Sequence, residues 1–274
     1  MENLIIENDN IVALNDLLRD FSEKIDVIPI DPPYNTDINY IGYKDSGYEE
    51  SWSTFMERRL SIAYKLLSGK GVLFINIDEN ELFDLWSVCD KIFGQENIMT
   101  LVWKKTNPLF DKNRKEKPLE SGIRRTHEFI LACFKNRSAT TLNMISQPEW
   151  NGESFTDVEK PLETIIDGLG TNASAKDEIE EIFGNRTIFQ TPKPMRLIKE
   201  LIRSASSKKS VVLDFFAGSG TTGHAVMDLN KEDGGRRKFI LINNSENNIC
   251  RRVTIPRIEK CIQKYGYDES FEYI

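Results

Sequence analysis

A run of six residues, Ile25–Ile30, rich in branched aliphatic side chains, stops at Asp31-Pro32-Pro33-Tyr34. Proline has no backbone N–H and fixes its own φ, so two in succession cannot carry a sheet ladder onward. A run this short, bounded by turn residues, reads as a buried strand that delivers Asp31 at its carboxyl end. Before it, Ile11, Leu14, Leu17, Leu18 and Phe21 recur at helical spacing. The bracket repeats. Phe55, Leu60, Tyr64 and Leu67 mark a second helix, the turn Ser68-Gly69-Lys70-Gly71 ends it, and 72–77 reads as the next strand. Asp78 is expected to cap a third helix, answered by Glu81 in a capping box, with Leu82, Leu85, Trp86, Cys89 and Phe93 as its apolar face and Gly94 as its stop. Alternating strands and helices of this kind build an α/β fold, a mostly parallel sheet with helices on both faces.

Two further strands, 98–103 and 128–134, flank a polar loop too long for a hairpin turn. Between positions 104 and 125 the loop carries eight basic residues (Lys104, Lys105, Lys112, Arg114, Lys115, Lys117, Arg124, Arg125) against three acidic ones, a local charge of +5. The whole chain is -7, so the remainder carries -12. A basic loop on an acidic body is a candidate phosphate contact, and a solvated charged loop is the plain alternative. From 149 to 186 ten acidic residues face three basic ones, which suggests an inserted segment with weak structure of its own and the wrong sign for gripping phosphate. The pattern resumes with a helix led by Pro194, a strand at Val211, a helix after Gly220, a strand from Lys238 and a last helix around 255–262. At 274 residues one large domain is expected. No stretch approaches the roughly 18 consecutive apolar residues of a membrane helix, and Met1-Glu2-Asn3-Leu4 has no signal character, so the expectation is a soluble, cytoplasmic protein without membrane attachment. Four scattered cysteines and two histidines, His127 and His224, indicate neither a disulfide framework nor a metal site, and both histidines are expected to be structural.

The second informative run, beginning at Val211, opens into Ala217-Gly218-Ser219-Gly220-Thr221-Thr222-Gly223. A glycine turn beyond a strand lets backbone approach a bulky ligand. A phosphate-binding P-loop is excluded, because His224 and Ala225 follow Gly223 where a lysine and a hydroxyl are needed. Gly218, Gly220 and Gly223 satisfy a dinucleotide fingerprint, which alone is a weak match. Phe216-x-Gly218-x-Gly220, preceded by Asp214, is similar to the cofactor motif of S-adenosylmethionine-dependent amino-methyltransferases. With Ile30-Asp-Pro-Pro-Tyr-Asn-Thr36, Gly71-Val-Leu-Phe-Ile-Asn-Ile-Asp-Glu-Asn-Glu81 and Gln190-Thr-Pro-Lys-Pro194 in this order, the chain resembles the β group of DNA amino-methyltransferases, in which the catalytic motif precedes the cofactor motif. It is most similar to the modification subunits of type III restriction systems, over most of its length apart from 104–125 and 149–186.

That resemblance implies a class I methyltransferase, Rossmann-like sheet with permuted motif order. The expected organisation is one catalytic domain over 1–274, with a DNA-contact loop at 104–126 and a recognition or partner segment at 149–187. It implies S-adenosylmethionine as cofactor, with Gly218 and Gly220 passing under it, Asp214 and Thr221 near its amino-acid end and Phe216 packed on it. Thr191 and Lys193 would touch the methionine portion, Asp9 the adenine, and Asp31 would border both cofactor and substrate. For the ribose hydroxyls Asn243, Asn244 and Glu246 stay open, with Glu246 as the acid. DNA is the implied partner, with a second copy of the chain and a restriction subunit as further ones. The chemistry expected at Asp31 to Tyr34 is activation of an exocyclic amine. An adenine N6 lone pair is delocalised, so the Asp31 carboxylate and the Pro32 carbonyl would accept both hydrogens and direct the lone pair outward; Pro33 stiffens the turn and Tyr34 offers a face for stacking. A base in a duplex must be flipped out to reach such a pocket. Cytosine N4 is the alternative amine, which Asp31 disfavours, since an initial serine is more usual for cytosine in the resembling families. A non-catalytic methyltransferase-like DNA-binding subunit is the reading from another class.

Overall fold

The computed structural model describes residues 2–36, 50–106, 123 and 125–274. Eleven strands are present among these: β1 (Asn3–Glu7), β2 (Ile25–Ile30), β3 (Leu67–Ile77), β4 (Ile98–Lys104), β5 (His127–Phe134), β6 (Ile145–Trp150), β7 (Phe155–Lys160), β8 (Ile165–Ile166), β9 (Val211–Asp214), β10 (Lys238–Asn243) and β11 (Phe271–Tyr273). Between them run α1 (Asn10–Phe21), α2 (Trp52–Leu66), α3 (Leu82–Phe93), α4 (Asn172–Phe183), α5 (Met195–Ala205), α6 (Thr221–Asp233) and α7 (Ile255–Tyr265). Nine strands join one sheet in the order β11-β1-β10-β9-β2-β3-β5-β4-β8. β5 runs antiparallel to both its neighbours; the other pairings are parallel. No helix of the described residues is long and apolar enough to cross a membrane.

Successive residues of a strand point to opposite faces, so a sheet covered on both sides needs apolar residues at nearly every position. β2 and β3 meet that demand. Ile28, Ile30, Leu73 and Ile75 face α1, α2 and α3 through Leu14, Met56, Leu60 and Leu85. Val27, Val72, Phe74 and Val212 face the other way, against Leu197, Leu201, Met227 and Ile258 of α5, α6 and α7. The chain turns back on itself between β9 and β2, whose Val27 and Val212 pair directly. Their carboxyl ends therefore open side by side at a topological switch point, where open α/β sheets form their ligand clefts.

Three local expectations are overturned. The predicted turn at Ser68 to Gly71 lies inside β3, which starts at Leu67 paired with Ile25 and then slips register before Val72 pairs with Val27. The expected Asp78–Glu81 capping box does not form. The Asp78 carboxylate accepts from the Asn80 N–H at 2.9 Å in a local turn, and Glu81 accepts from Asn35 Nδ2 at 2.5 Å, a tertiary contact that outcompetes the cap. The acidic segment is also well structured. β6 and β7 form an antiparallel hairpin, β8 adds to β4, and α4 starts with a Thr171–Ser174 capping box and ends at Gly184 in the left-handed region. Most of its carboxylates sit on exposed faces, as on β7, while Glu178 turns inward to accept from the Met195 N–H at 3.0 Å, so composition alone gave no sign of the order beneath.

The β3 slip leads to a stability prediction. A Cβ at Gly71 would stand 2.9 Å from the Ile25 carbonyl oxygen and 2.8 Å from Leu67 Cδ2, whereas one at Gly69 would meet nothing. Gly71→Ala should destabilise the fold by ~1–3 kcal/mol, the usual cost of crowding a packed backbone. Gly69→Ala should stay within ~0.5 kcal/mol. Urea unfolding midpoints of the two variants check this.

Candidate active site

The cleft at the carboxyl ends of β2 and β9 has a volume of about 610 Å³. From one side it is lined by Asp31, Pro32, Pro33 and Tyr34, and from the other by Asp214, Phe216, Gly218 and Thr221, with Asp9, Thr191, Lys193 and Glu246 on its remaining walls. Twelve of the residues singled out in the sequence as catalytic or cofactor-binding thus meet at one opening. Gly220 is the one that does not.

Around Asp31 the structure builds a dense polar cluster. The loop is held from beneath by Asn76, whose Nδ2 donates to the Ile30 carbonyl at 3.1 Å, and by Trp52, whose Nε1 donates to the Pro33 carbonyl at 2.8 Å. Tyr34 Oη donates to Asp31 Oδ1 at 2.7 Å and lies 3.1 Å from Glu128 Oε2. Lys193 Nζ donates to Asp31 Oδ2 at 2.8 Å and to Tyr34 Oη at 2.9 Å, and stands 3.4 Å from Glu128 Oε2. Lys105 Nζ reaches the other Glu128 oxygen at 3.1 Å. Burial raises the Asp31 carboxyl above the usual carboxylate range even with Lys193 beside it. Glu128 is also buried, but Lys193 and Lys105 outweigh that burial and hold its carboxyl below the ordinary value. Burial together with the two carboxylates pushes the Tyr34 phenol up, so its hydrogen stays in place. The hydroxyl of Tyr34 is therefore a working part of the cluster, beyond the stacking face expected of its ring.

The glycine turn is assembled differently. Asp214, at the end of β9, accepts from the Phe216 N–H at 3.0 Å and from Thr222 Oγ1 at 2.5 Å, so its carboxylate braces the turn. Burial raises its carboxyl to about 7. Gly218 has φ +47, and a Cβ on it would come 3.2 Å from the Phe189 ring across the cleft. Gly220 has φ +79 and begins α6; its missing Cβ would point at Thr254 Cγ2, 3.3 Å away, behind the cleft. Its glycine is required by the turn's backbone and by its packing on Thr254. Below the turn lies Arg257, wholly buried, donating to Ser219 Oγ at 2.9 Å and Thr221 Oγ1 at 2.8 Å. At the far wall Asp9 caps α1 by accepting from the Ile11 N–H. Asn243 Nδ2 donates to the Gly218 carbonyl and the Thr254 hydroxyl, and Asn243, Asn244 and Glu246, the three ribose candidates, all line the cleft.

The sequence model for DNA methylase matches residues 25–273. The chain belongs to the DNA methylase family. Among curated relatives, the Mod subunit of the type III restriction-modification enzyme StyLTI from Salmonella typhimurium is 28% identical, over 94% of this chain and 55% of its own length. The EcoPI Mod subunit from Escherichia phage P1 is 26% identical over 89% of this chain and 58% of that protein. The chain thus spans little more than half the length of these relatives. Among solved structures, the M1.HpyAVI–SAM complex superposes with a TM-score of 0.59 over 94% of this chain and 98% of that one, at 18% identity, which establishes the common fold.

In this DNA methylase three of the expected DNA contacts have ion-pair partners within the chain. Lys105 is a correction: its ammonium is mostly buried in the pair with Glu128 and belongs to the Asp31 cluster. Lys104 is paired with Asp167, and Arg125 with Glu79. Lys112, Arg114, Lys115, Lys117 and Arg124 lie outside the described residues. The sequence reading missed Glu128 and Phe189. For Glu128 a signal existed: it is the one charged side chain after His127 in a strand of otherwise apolar residues. No group of residues suited to hold a metal occurs among the described residues. His224 is buried and stacked on Tyr265 at 5.4 Å, and burial lowers its pKa to about 3, so it stays neutral.

Asp214 generates a pH prediction. Its folded pKa, about 7, lies above the ordinary value of 3.8, so its contribution to stability is complete at low pH and is lost as pH rises through 7. At ~1.4 kcal/mol per unit the loss is on the order of 4 kcal/mol. Asp214→Asn can accept from the Phe216 N–H through Oδ1 and donate through Nδ2 to the Thr222 hydroxyl, reversing that second bond without ionising, and should flatten the decline in unfolding free energy between pH 4 and 8. Denaturant titrations of both proteins across that range check it.

Proposed function

We propose that this chain transfers a methyl group from S-adenosylmethionine to the N6 amine of an adenine flipped out of DNA. The observation that carries this reading is the meeting of the Asp31-Pro-Pro-Tyr34 cluster and the glycine turn across one cleft. The residues present fit the cofactor. Gly218 leaves room beneath the opening that a Cβ would fill against Phe189, Phe216 packed on Phe55 with ring centroids 6.1 Å apart gives an aromatic wall, and Asp9, Asp31 and Glu246 supply carboxylates for a cationic ligand with ribose hydroxyls. When bound, that cofactor supplies an electrophilic sulfonium methyl.

The chain's own part is to prepare the amine. Asp31 can accept one amine hydrogen and the Pro32 carbonyl the other, which localises the nitrogen lone pair and directs it toward the cofactor side of the cleft. Tyr34 holds the Asp31 carboxylate in place through its hydroxyl while its ring faces the pocket. Negative charge at Asp31 also favours the positive charge that grows on nitrogen as its new bond forms. The relatives named as type III Mod subunits support DNA as substrate and a restriction subunit as partner, and the full activity of those longer proteins is part of the same reading.

Incubation with duplex DNA and S-adenosylmethionine, followed by mass analysis of nucleosides, tests the reaction. N6-methyladenine is expected. N4-methylcytosine would move the reading to the other amine, and DNA binding with no methylated nucleoside would leave a non-catalytic subunit. Asp31→Ala should lower kcat by ~100-fold or more while cofactor affinity stays within a few-fold, because the carboxylate acts on the reacting amine. Methyl transfer near the wild-type rate would remove Asp31 from the chemistry.

A further inference from the structure

An ionised Asp31 is the stronger acceptor for an amine hydrogen and the one that carries negative charge, yet Asp31 shares one hydroxyl with a second buried carboxylate, the Tyr34 Oη lying 2.7 Å from Asp31 and 3.1 Å from Glu128. Two carboxylates held this close in a buried site ordinarily keep one proton between them. Lys105 cannot prevent this at Asp31, since its ammonium sits on the far oxygen of Glu128. Lys193 can. It is 8% exposed, and its hydrogens are directed to Asp31 Oδ2 and Tyr34 Oη, with Glu128 Oε2 next nearest.

We propose that Lys193 is the positioning residue that keeps Asp31 ionised in the substrate pocket, a role that rests on the methyltransferase reading above. This differs from a contact to the methionine portion of the cofactor, because the ammonium faces the carboxylates. A carboxylate has about four lone-pair sites, so Asp31 can take an amine hydrogen without releasing Lys193. The charges facing Asp31 make the balance explicit. Glu128 comes from β5, Lys105 from the end of β4, Asp78 from the end of β3 beside Glu128 and Lys105, and Asp214 from the end of β9. At the mouth Arg125 is paired with Glu79 and Arg59 stands 3.7 Å from Asp9. In the inner cluster Lys193 and Lys105 match Asp31 and Glu128 one for one. Without Lys193 one carboxylate is uncompensated, and Asp31 is the one that takes the proton, because Lys105 remains on Glu128.

Titration of the Asp31 carboxyl carbon by NMR in protein carrying ¹³C-labelled aspartate, assigned with Asp31→Asn, tests this without requiring turnover. In Lys193→Met the Asp31 midpoint should rise by about one pH unit or more, and adding Glu128→Gln should bring it back down. Lys193→Arg should hold it near the wild-type value. In methyl transfer the acid limb of kcat/KM should move with the midpoint, so that Lys193→Met loses roughly tenfold at pH 6 and recovers at pH 9. Cofactor affinity by calorimetry at pH 9 should stay within a few-fold. An Asp31 midpoint that does not move in Lys193→Met overturns the proposal, as does cofactor affinity lost with the midpoint unshifted. Should Lys193→Met fail to fold, Lys193→Gln is titrated in its place, and an Asp31 midpoint left unmoved there overturns the proposal. A wild-type protein that transfers no methyl group would sink the methyltransferase reading while the NMR titration still judged the Lys193–Asp31 relation.

Discussion

The parallel pairing of β2 with β9 joins two segments far apart in the chain, and most of the site follows from it. Val27 opposite Val212 sets the register, and that register brings the stop after Ile30 level with the turn after Asp214. Neither segment makes a site alone. Asp31 gains its neighbours because β5 runs antiparallel and so presents its first residues, including Glu128, at the edge where the parallel strands end. Lys193 arrives from the segment leading into α5, where Pro194 fixes the start of the helix.

Within that frame the protein handles charge locally. A chain of net -7 places two lysines and two carboxylates in one buried cluster where the charges balance. Buried pairs of this kind contribute little net stability, because desolvation offsets most of the attraction. Their value here is geometric, since each ammonium fixes the oxygen it binds. The same economy appears at Asp214, where two hydrogen bonds brace a turn and burial keeps the carboxyl poised near neutrality.

The sheet's centre was legible because its strands are short aliphatic runs ended by residues that cannot continue a strand, as at Pro32 and Gly218. The helices from α5 onward were legible by their periodicity. β1 and β11 were not, because each is an edge or near-edge strand with few buried positions. The segment 149–186 was misjudged because acidic side chains on exposed faces hide buried anchors such as Ile166, Leu169, Ile179 and Ile182. At the site, the motifs gave Asp31, Tyr34, Phe216 and Gly218, but the spatial partners Glu128 and Lys105 depend on strand direction, which local sequence does not encode. For Gly220 the packing on Thr254, which also calls for glycine, depends on a residue distant in the chain.

Arg257 sits wholly under the glycine turn with its Nε unpartnered. A guanidinium has donors only, so Ser219 and Thr221 must spend lone pairs on it, and their own hydrogens are left to turn away from it. Those hydrogens find partners inside the protein, since Thr221 donates to the Lys193 carbonyl at 3.5 Å and Ser219 and Thr221 lie 3.2 Å from each other. One buried arginine, its charge met from behind by Glu178 at 3.7 Å, thus ties the glycine turn to α7 and to α4, so that the floor of the cleft is set by a side chain outside it.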